Sequence, residues 1–503
     1  MLIALALVIG IGLGSFLNFP VNPYNNGRNT PENKINEVLQ LIRYQYVDNV
    51  DTDSLLALTL NNMLDDLDPH SRYIPQSEVA STQEAINGSF EGIGIEFKLF
   101  RDTLTIAHVI PGGAAEKAGL KDGQQILSAD DVLLHGDSIS NQKVIRTLKG
   151  EAGSAVTLQM HDRAKGTFAV ELKRQAVQIN SVPAAFMLND SVGYLKLNTF
   201  SAHSAREMRQ HLQKLKEQGA QKMILDLRNN PGGLLSAAQN IANEFLKKDA
   251  VIVFTKNRDG VAKYYRAEGG GTFTQGSLAV LINQRSASAS EIVAGALQDN
   301  ERAQLVGRKS YGKGLVQEEM SLRDGSKLRL TTQHFYTPSG KNIQKPYDQF
   351  QSEFESYHSF SDNAKKSGDS ATSQGGIAPD IPVTEGYTNA AMYTAYRKYG
   401  VSLDEQTFAE AQKQRRHWQN QSFKQFNNNY RVSDSTLKRI LNAPENELAL
   451  DSAAHAEMRS QVKALMAYHL YGRSAYRQML VDEDPYVQKA LRAMAEKNKP
   501  VKP

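Results

Sequence analysis

Apolar residues recur at helical spacing along 31–45, where Ile35, Val38, Leu39 and Ile42 share a face, and along 53–67, through Leu56, Leu60, Met63 and Leu67. Two helices are predicted, with Asp51 and Asp53 as caps and Leu67-Asp-Pro-His-Ser-Arg-Tyr73 as the closing turn. From Ser89 the period shortens to that of strands, at 90–97, 106–110, 123–127, 156–160 and 168–172, around an Ala-rich stretch at 111–120. From Val192 strands and helices alternate (192–197, 204–218, 223–227, 235–246, 251–254), the pattern of βαβ units with right-handed crossovers. The unbroken apolar run 278–282, bounded by Gly276 and Asn283, predicts a fully buried strand, and 290–297 a packed helix. Further strands are predicted at 304–307, 318–322, 328–332 and 335–337, with turns at Asp324-Gly325 and Pro338-Ser339-Gly340. Residues 345–376 are polar, Ser-rich and aperiodic, the composition of a flexible insertion. Beyond Gly386 the pattern is helical, at 389–399, 406–427, 433–441, 452–471 and 484–496.

The strand-to-helix turn at 283–290 carries Ser286, Ser288 and Ser290. A hydroxyl on such a turn stands above the sheet, and the next amide, unpaired at a helix N-terminus, faces the same space and attracts developing negative charge. Serine needs a base to attack a carbonyl. The eleven histidines lie far off in sequence, His334 being the nearest downstream, whereas Lys313 follows the strand 304–307 between Gly312 and Gly314. Burial of that amine would lower its pKa toward the working pH and let it take the serine proton. Upstream, Arg228-Asn-Asn-Pro-Gly-Gly-Leu234 ends another buried strand, and its two glycines allow free amides close to a ligand. Each segment alone is also an ordinary packing turn. Spacing does not choose among the three serines. Nor does it bring Gln317 to Lys313, since four residues span ~13 Å in a strand and ~6 Å in a helical turn. Glu291, in the first turn of the helix, reads as a complement to its dipole.

Taken together, Asp226-Leu-Arg-Asn-Asn-Pro-Gly-Gly233, Ser286-Ala-Ser-Ala-Ser-Glu291, Gly312-Lys-Gly-Leu-Val-Gln317 and Gly376-Ile-Ala-Pro-Asp380 resemble, in order and spacing, the motifs of the carboxy-terminal processing peptidases, or tail-specific proteases. The resemblance implies Ser288 as nucleophile, Lys313 as general base and Gln317 as the residue orienting the lysine. It implies an oxyanion hole from the amides of Ala289 and Gly233, with Gly232 the alternative to the latter. Asp299 matches an acid implicated in some members and is read here as structural, as His70 is read as a turn residue. The stretch 89–174 looks like a PDZ domain, with Gln124-Gln125 departing from the Gly-Asp usual there. Its Gly92-Ile-Gly-Ile95 suits capture of a terminal carboxylate, with Ile93 and Ile95 lining an apolar pocket for the substrate's last residues. The fold implied is multidomain α/β: a crotonase-like spiral α/β core with an inserted PDZ-like domain, a helical N-terminal region and a helical C-terminal extension.

The 503 residues carry a net charge of +4, and no basic run is interleaved with aromatics, which argues against nucleic acid. Without cysteine, disulfides and thiolate metal sites are excluded, and no cofactor or metal is expected. Residues 2–19 are almost wholly apolar and uncharged, the first basic residue being Arg28, so a membrane anchor or signal segment is expected, followed by a linker at 20–30. The remaining boundaries are read at 31–82 (helical), 83–176 (PDZ-like), 177–384 (protease core) and 385–503 (helical). The expectation is an extracytoplasmic, periplasm-like serine endopeptidase anchored in the inner membrane. It would dock protein C-termini and cleave through an acyl-enzyme, while the C-terminal helices cover the core, form homo-oligomers or bind a partner. The rival expectation is a catalytically silent PDZ-containing scaffold. Ser288, Lys313 and Gln317 together speak against it.

Overall fold

The computed structural model describes residues 31–100, 102–137, 139–347, 375–384, 390–443 and 452–496. The apolar segment 2–19 and residues 348–374 of the polar insertion lie outside these. Among the described residues no helix is long and apolar enough to cross a membrane.

Helices α1 (Pro31–Gln45) and α2 (Thr52–Asp65) open the chain. Asp51 caps α2 by accepting the amides of Asp53 (3.1 Å) and Ser54 (3.3 Å). Ile35, Val38, Leu41, Leu58 and Met63 stay exposed on this pair. The turn that follows leads through β1 (Arg72–Ile74) to α3 (Gln76–Asn87).

The PDZ-like unit comprises β2 (Ser89–Gly92), β3 (Ile95–Phe100), β4 (Thr103–Val109), α4 (Ala114–Lys117), β5 (Gln125–Ala129), β6 (Val132–Leu133), α5 (Asn141–Leu148), β7 (Ala155–Asp162), β8 (Gly166–Lys173) and β9 (Gln175–Gln178). Its sheet runs β3-β4-β5-β7-β8, and alternate residues such as Val156, Leu158 and Met160 point into its own apolar core. The entering strand β2 pairs antiparallel with the leaving strand β9, so the unit begins and ends at one place.

The body follows with β10 (Ala184–Met187), β11 (Val192–Lys196), α6 (Ser204–Glu217), β12 (Lys222–Asp226), α7 (Leu235–Asn243), β13 (Val251–Asn257), β14 (Ala262–Arg266), β15 (Ser277–Ile282), α8 (Ala289–Asp299), β16 (Gln304–Gly307), β17 (Leu315–Ser321), β18 (Lys327–Tyr336) and β19 (Ile381–Pro382). A six-stranded sheet has the order β10-β11-β12-β15-β16-β19, parallel except at the β10 edge. Its strands are apolar on both faces because both are covered. Helices α6, α7 and α8 pack on one face around Leu212, Ile241 and Val293. A second sheet has the order β1-β18-β13-β14, with β17 on β18. The strands expected at 328–332 and 335–337 are one strand, since no glycine or proline interrupts the run and Phe335 is buried within it.

The C-terminal region contains α9 (Ala390–Tyr399), α10 (Leu403–Trp418), α11 (Phe423–Asn429), α12 (Asp434–Leu441), α13 (Ser452–Tyr471), α14 (Arg473–Leu480), a 3₁₀ turn (Val481–Glu483) and α15 (Pro485–Glu496). The helix expected at 406–427 is split, because Ser422 accepts the Gln425 amide (3.3 Å) and starts a new helix. Trp418 sits edge-on to Phe426 (5.0 Å) and Tyr430 (5.8 Å) in a core of its own. Helix α14, unannounced by the sequence pattern, leads to α15, whose Tyr486, Val487, Ala490 and Met494 cover the second face of the six-stranded sheet at Tyr194, Ile224, Leu281 and Val306. The same region holds the PDZ-like unit through the Lys98–Asp404 and Arg473–Glu96 ion pairs and Phe408 against Phe100 at 5.6 Å.

Candidate active site

Between β15 and α8 the chain is stitched to the turn after β12. Ser286 Oγ donates to the Leu227 carbonyl (2.9 Å). The Asn230 carbonyl accepts from Ser290 Oγ (2.9 Å) and the Ala287 amide (3.0 Å). Asn229 and Asn283 exchange two bonds, each 2.9 Å. Ser286 and Ser290 are therefore buried pins, whereas Ser288 is half-buried, at φ 54° and ψ −113°, where a non-glycine residue is strained. Such strain persists only where the surroundings over-determine it. Here they do.

The glycines of the neighbouring turn meet this one closely. A Cβ on Gly232 (φ +101°) would lie 2.7 Å from the Ala287 carbonyl oxygen and 2.9 Å from both the Ala289 nitrogen and Ser288 Cβ, so only glycine fits. The Gly232 amide is taken by Asn230 Oδ1 (2.9 Å). Gly233 bridges to Phe200, whose carbonyl accepts the Leu234 amide (2.8 Å). Among the described residues, the amides of Gly233 and Ala289 donate to no protein group. Two unpaired donors thus lie on the two turns that meet where Gly232 approaches Ser288.

Glu291 joins this turn to the lysine. Its buried carboxylate accepts from Ser310 Oγ (2.6 Å) and the Gly312 amide (2.7 Å) on Oε1, and from the amides of Ser288 (2.8 Å) and Lys313 (2.9 Å) on Oε2. One oxygen holds both backbones. Burial pushes the Glu291 carboxyl up to about 7, against the pull of its four donors. Its role is hidden in the sequence, although a lone acid inside the apolar run 289–297 was the available signal.

Lys313 is half-buried, and burial first, then the Arg329 charge, lowers its amine to about 8, while Asp68 and Glu291 pull upward. The turn 68–71 packs beside it: burial and the Lys313 charge hold His70 down at about 4, and Asp68 accepts from Ser71 Oγ (2.6 Å). Ser71 Oγ accepts the Thr331 amide (3.1 Å), and Thr331 Oγ1 accepts from Gln317 Nε2 (3.2 Å). Ser288, Gly233 and Lys313 follow strands of the six-stranded sheet. Gln317 instead lies inside β17 of the other sheet, at a bulge between Val316 and Gln317. Among the described residues no hydrogen bond joins Lys313 Nζ to Ser288 Oγ or to Gln317. Asp299, at the far end of α8 from Ser288, accepts from the Ser339 amide (2.9 Å) and Lys341 Nζ (3.3 Å), a brace for the turn after β18.

On the PDZ-like unit, Gly92, Ile93, Gly94 and Ile95 border a cavity of about 300 Å³ with Phe97, Ile145 and Leu148. Its lining is mainly apolar, with Lys149 and Glu84 paired at its edge. A short apolar peptide end fits such a space.

Residues 191–351 match the model of peptidase family S41, residues 105–160 that of the PDZ domain, and residues 399–472 that of a family of unknown function. A carboxyl-terminal-processing protease of Synechocystis sp. is 38% identical over 297 residues, 57% of this chain and 68% of its own. One from Picosynechococcus sp. is 38% identical over 283 residues, 55% of this chain and 67% of its own. A probable CtpA-like serine protease of Staphylococcus aureus is 30% identical over 343 residues, 68% of each chain.

Proposed function

This chain belongs to peptidase family S41, the carboxyl-terminal-processing proteases, and is a serine-type peptidase; we propose that it is an endopeptidase acting on C-terminal tails through Ser288 and Lys313. In this reading the tail's last side chain enters the cavity at Ile93 and Ile95, and its carboxylate meets the amides of the 92–95 loop. Neutral Lys313 takes the Ser288 proton as Oγ attacks the scissile carbonyl, and the oxyanion accepts from the Gly233 and Ala289 amides. The ammonium then protonates the leaving amine, and water repeats the sequence on the acyl-enzyme. Gln317, tied by its amide nitrogen to Thr331, keeps its carbonyl oxygen to orient the lysine. Asp299 serves as a brace outside the chemistry. The crotonase-like description of the core, and the extracytoplasmic, anchored setting motivated by residues 2–19, belong to the same reading.

The observation that carries it is the Glu291 carboxylate, which seats the backbones of Ser288 and Lys313 on one oxygen beside an amine whose pKa is depressed. The test is cleavage of an unfolded protein with an apolar tail, alongside mass analysis after exposure to a serine-acylating probe. Wild type should turn over and carry the adduct on Ser288, and Ser288→Ala should do neither. Equal turnover by both, or an adduct on Ser286 or Ser290, would end the proposal. For the docking site, Ile93→Asp places an unpaired charge in the apolar cavity and should raise KM for the tailed substrate by roughly tenfold or more. The kcat at saturation should change little, and an effect on kcat alone would remove the cavity from substrate binding.

A further inference from the structure

The turn bearing Gly232 and Gly233 begins at Arg228, whose side chain is 9% exposed and faces two carboxylates. On one side its Nε and Nη2 donate to Asp226 (3.0 and 2.7 Å), at the end of β12. On the other, its Nη1 and Nη2 donate to Asp484 (3.0 and 2.7 Å), 256 residues later in the chain. The Tyr486 ring lies against the guanidinium at 4.7 Å and is itself buried, while Asp484 accepts the Tyr486 amide (3.0 Å). The Arg228 carbonyl accepts from the buried Lys196 Nζ, and Asp226 accepts from Tyr194 (2.6 Å). Nearly every polar group at the start of the turn is thereby paired, and half of the guanidinium's partners come from outside the core.

Resting on the protease reading above, we propose that Asp484 is a positioning residue for the oxyanion hole: its carboxylate, brought by the C-terminal helices, completes the clamp on Arg228 that fixes the turn presenting the Gly233 amide. The chemistry explains why one carboxylate is not enough. A guanidinium forms planar two-point contacts, so forks on two adjacent edges that share Nη2 hold it in two directions, whereas one fork leaves it freer to swing. Next comes Asn229, at φ 56°, then Asn230, which takes the Gly232 amide and leaves that of Gly233 free. Tilting Arg228 therefore moves the donor. Displacing an aligned group by about 1 Å costs on the order of a hundredfold in rate.

The test uses the full-length chain on the tailed substrate. Asp484→Ala should lower kcat by roughly 10- to 100-fold, the range expected for a disturbed oxyanion donor. KM and the pH midpoint of the rate should stay in place, because the docking cavity and Lys313 are untouched. Asp484→Glu, which keeps the carboxylate, should recover most of the loss. Arg228→Ala should reproduce it, and the double variant should be no slower than Arg228→Ala. Should Asp484→Ala not fold, Asp484→Asn, with one acceptor left, carries the same comparison. Wild-type kcat in a folded Asp484 variant, a change in KM alone, or additive losses in the double variant would overturn the proposal. Turnover by wild type but not by Ser288→Ala, run in parallel, separates that result from failure of the protease reading itself.

Discussion

Lys313→Met is expected to lower kcat for a tailed substrate by about 10³-fold or more, in line with loss of a general base, with KM little changed. Methionine keeps the length and removes the amine, so the loss reports proton transfer rather than packing. In the wild type the base acts unprotonated, and its pKa lies at about 8, so kcat/KM should rise with pH through that region and level above it. The stability sign follows from the same shift. Between about pH 8 and the ordinary lysine range near 10.4, the unfolded chain holds a proton that the folded chain has released, so folding gains stability as pH rises there. Below that window both states are protonated and the penalty of a buried ammonium is in force. A pH–rate profile with its limb near 10, or a Lys313→Met variant retaining wild-type kcat, would show that some other group takes the proton.

Glu291→Gln should be nearly as damaging. Each carboxylate oxygen accepts from two donors, and glutamine presents one oxygen and one NH2; the Ser310 hydroxyl can turn to accept, but at least one backbone N–H must face a donor whichever way the amide turns. Losing one hydrogen bond to a buried charged acceptor costs about 1.5–3 kcal/mol, and the variant should unfold at a lower denaturant concentration. The larger effect is on alignment: with Ser288 and Lys313 no longer held by one oxygen, kcat should fall by roughly a hundredfold. Because the Glu291 pKa lies at about 7, both this proton and the lysine proton must leave before the centre is competent. Below pH 7 the wild-type profile should therefore be steeper than one ionisation allows. A Glu291→Gln enzyme at full rate would remove Glu291 from the centre.

The strand–turn–helix around Ser288 was legible in the chain because a long apolar run, small turn residues and a packed helix are all local signals. What it could not convey was pairing across distance. Glu291 looks like an ordinary first-turn acid until Ser310 and Gly312 are folded against it. Gln317 sits in a different sheet because β17 pairs with β18, and the register change between Val316 and Gln317 has no compositional mark. The turn at Asp68 and His70 reads as a helix ending, and only the tertiary fold brings it to Lys313. Helix α14 is one short segment after Gly472 with no mark in the pattern, and the split of 406–427 turns on a single capping serine.

The two halves of the Arg228–Asp484 contact lie 256 residues apart along the chain. Closing so long a loop costs conformational entropy before any hydrogen bond repays it, so this fork is expected among the last contacts to form as the protein refolds.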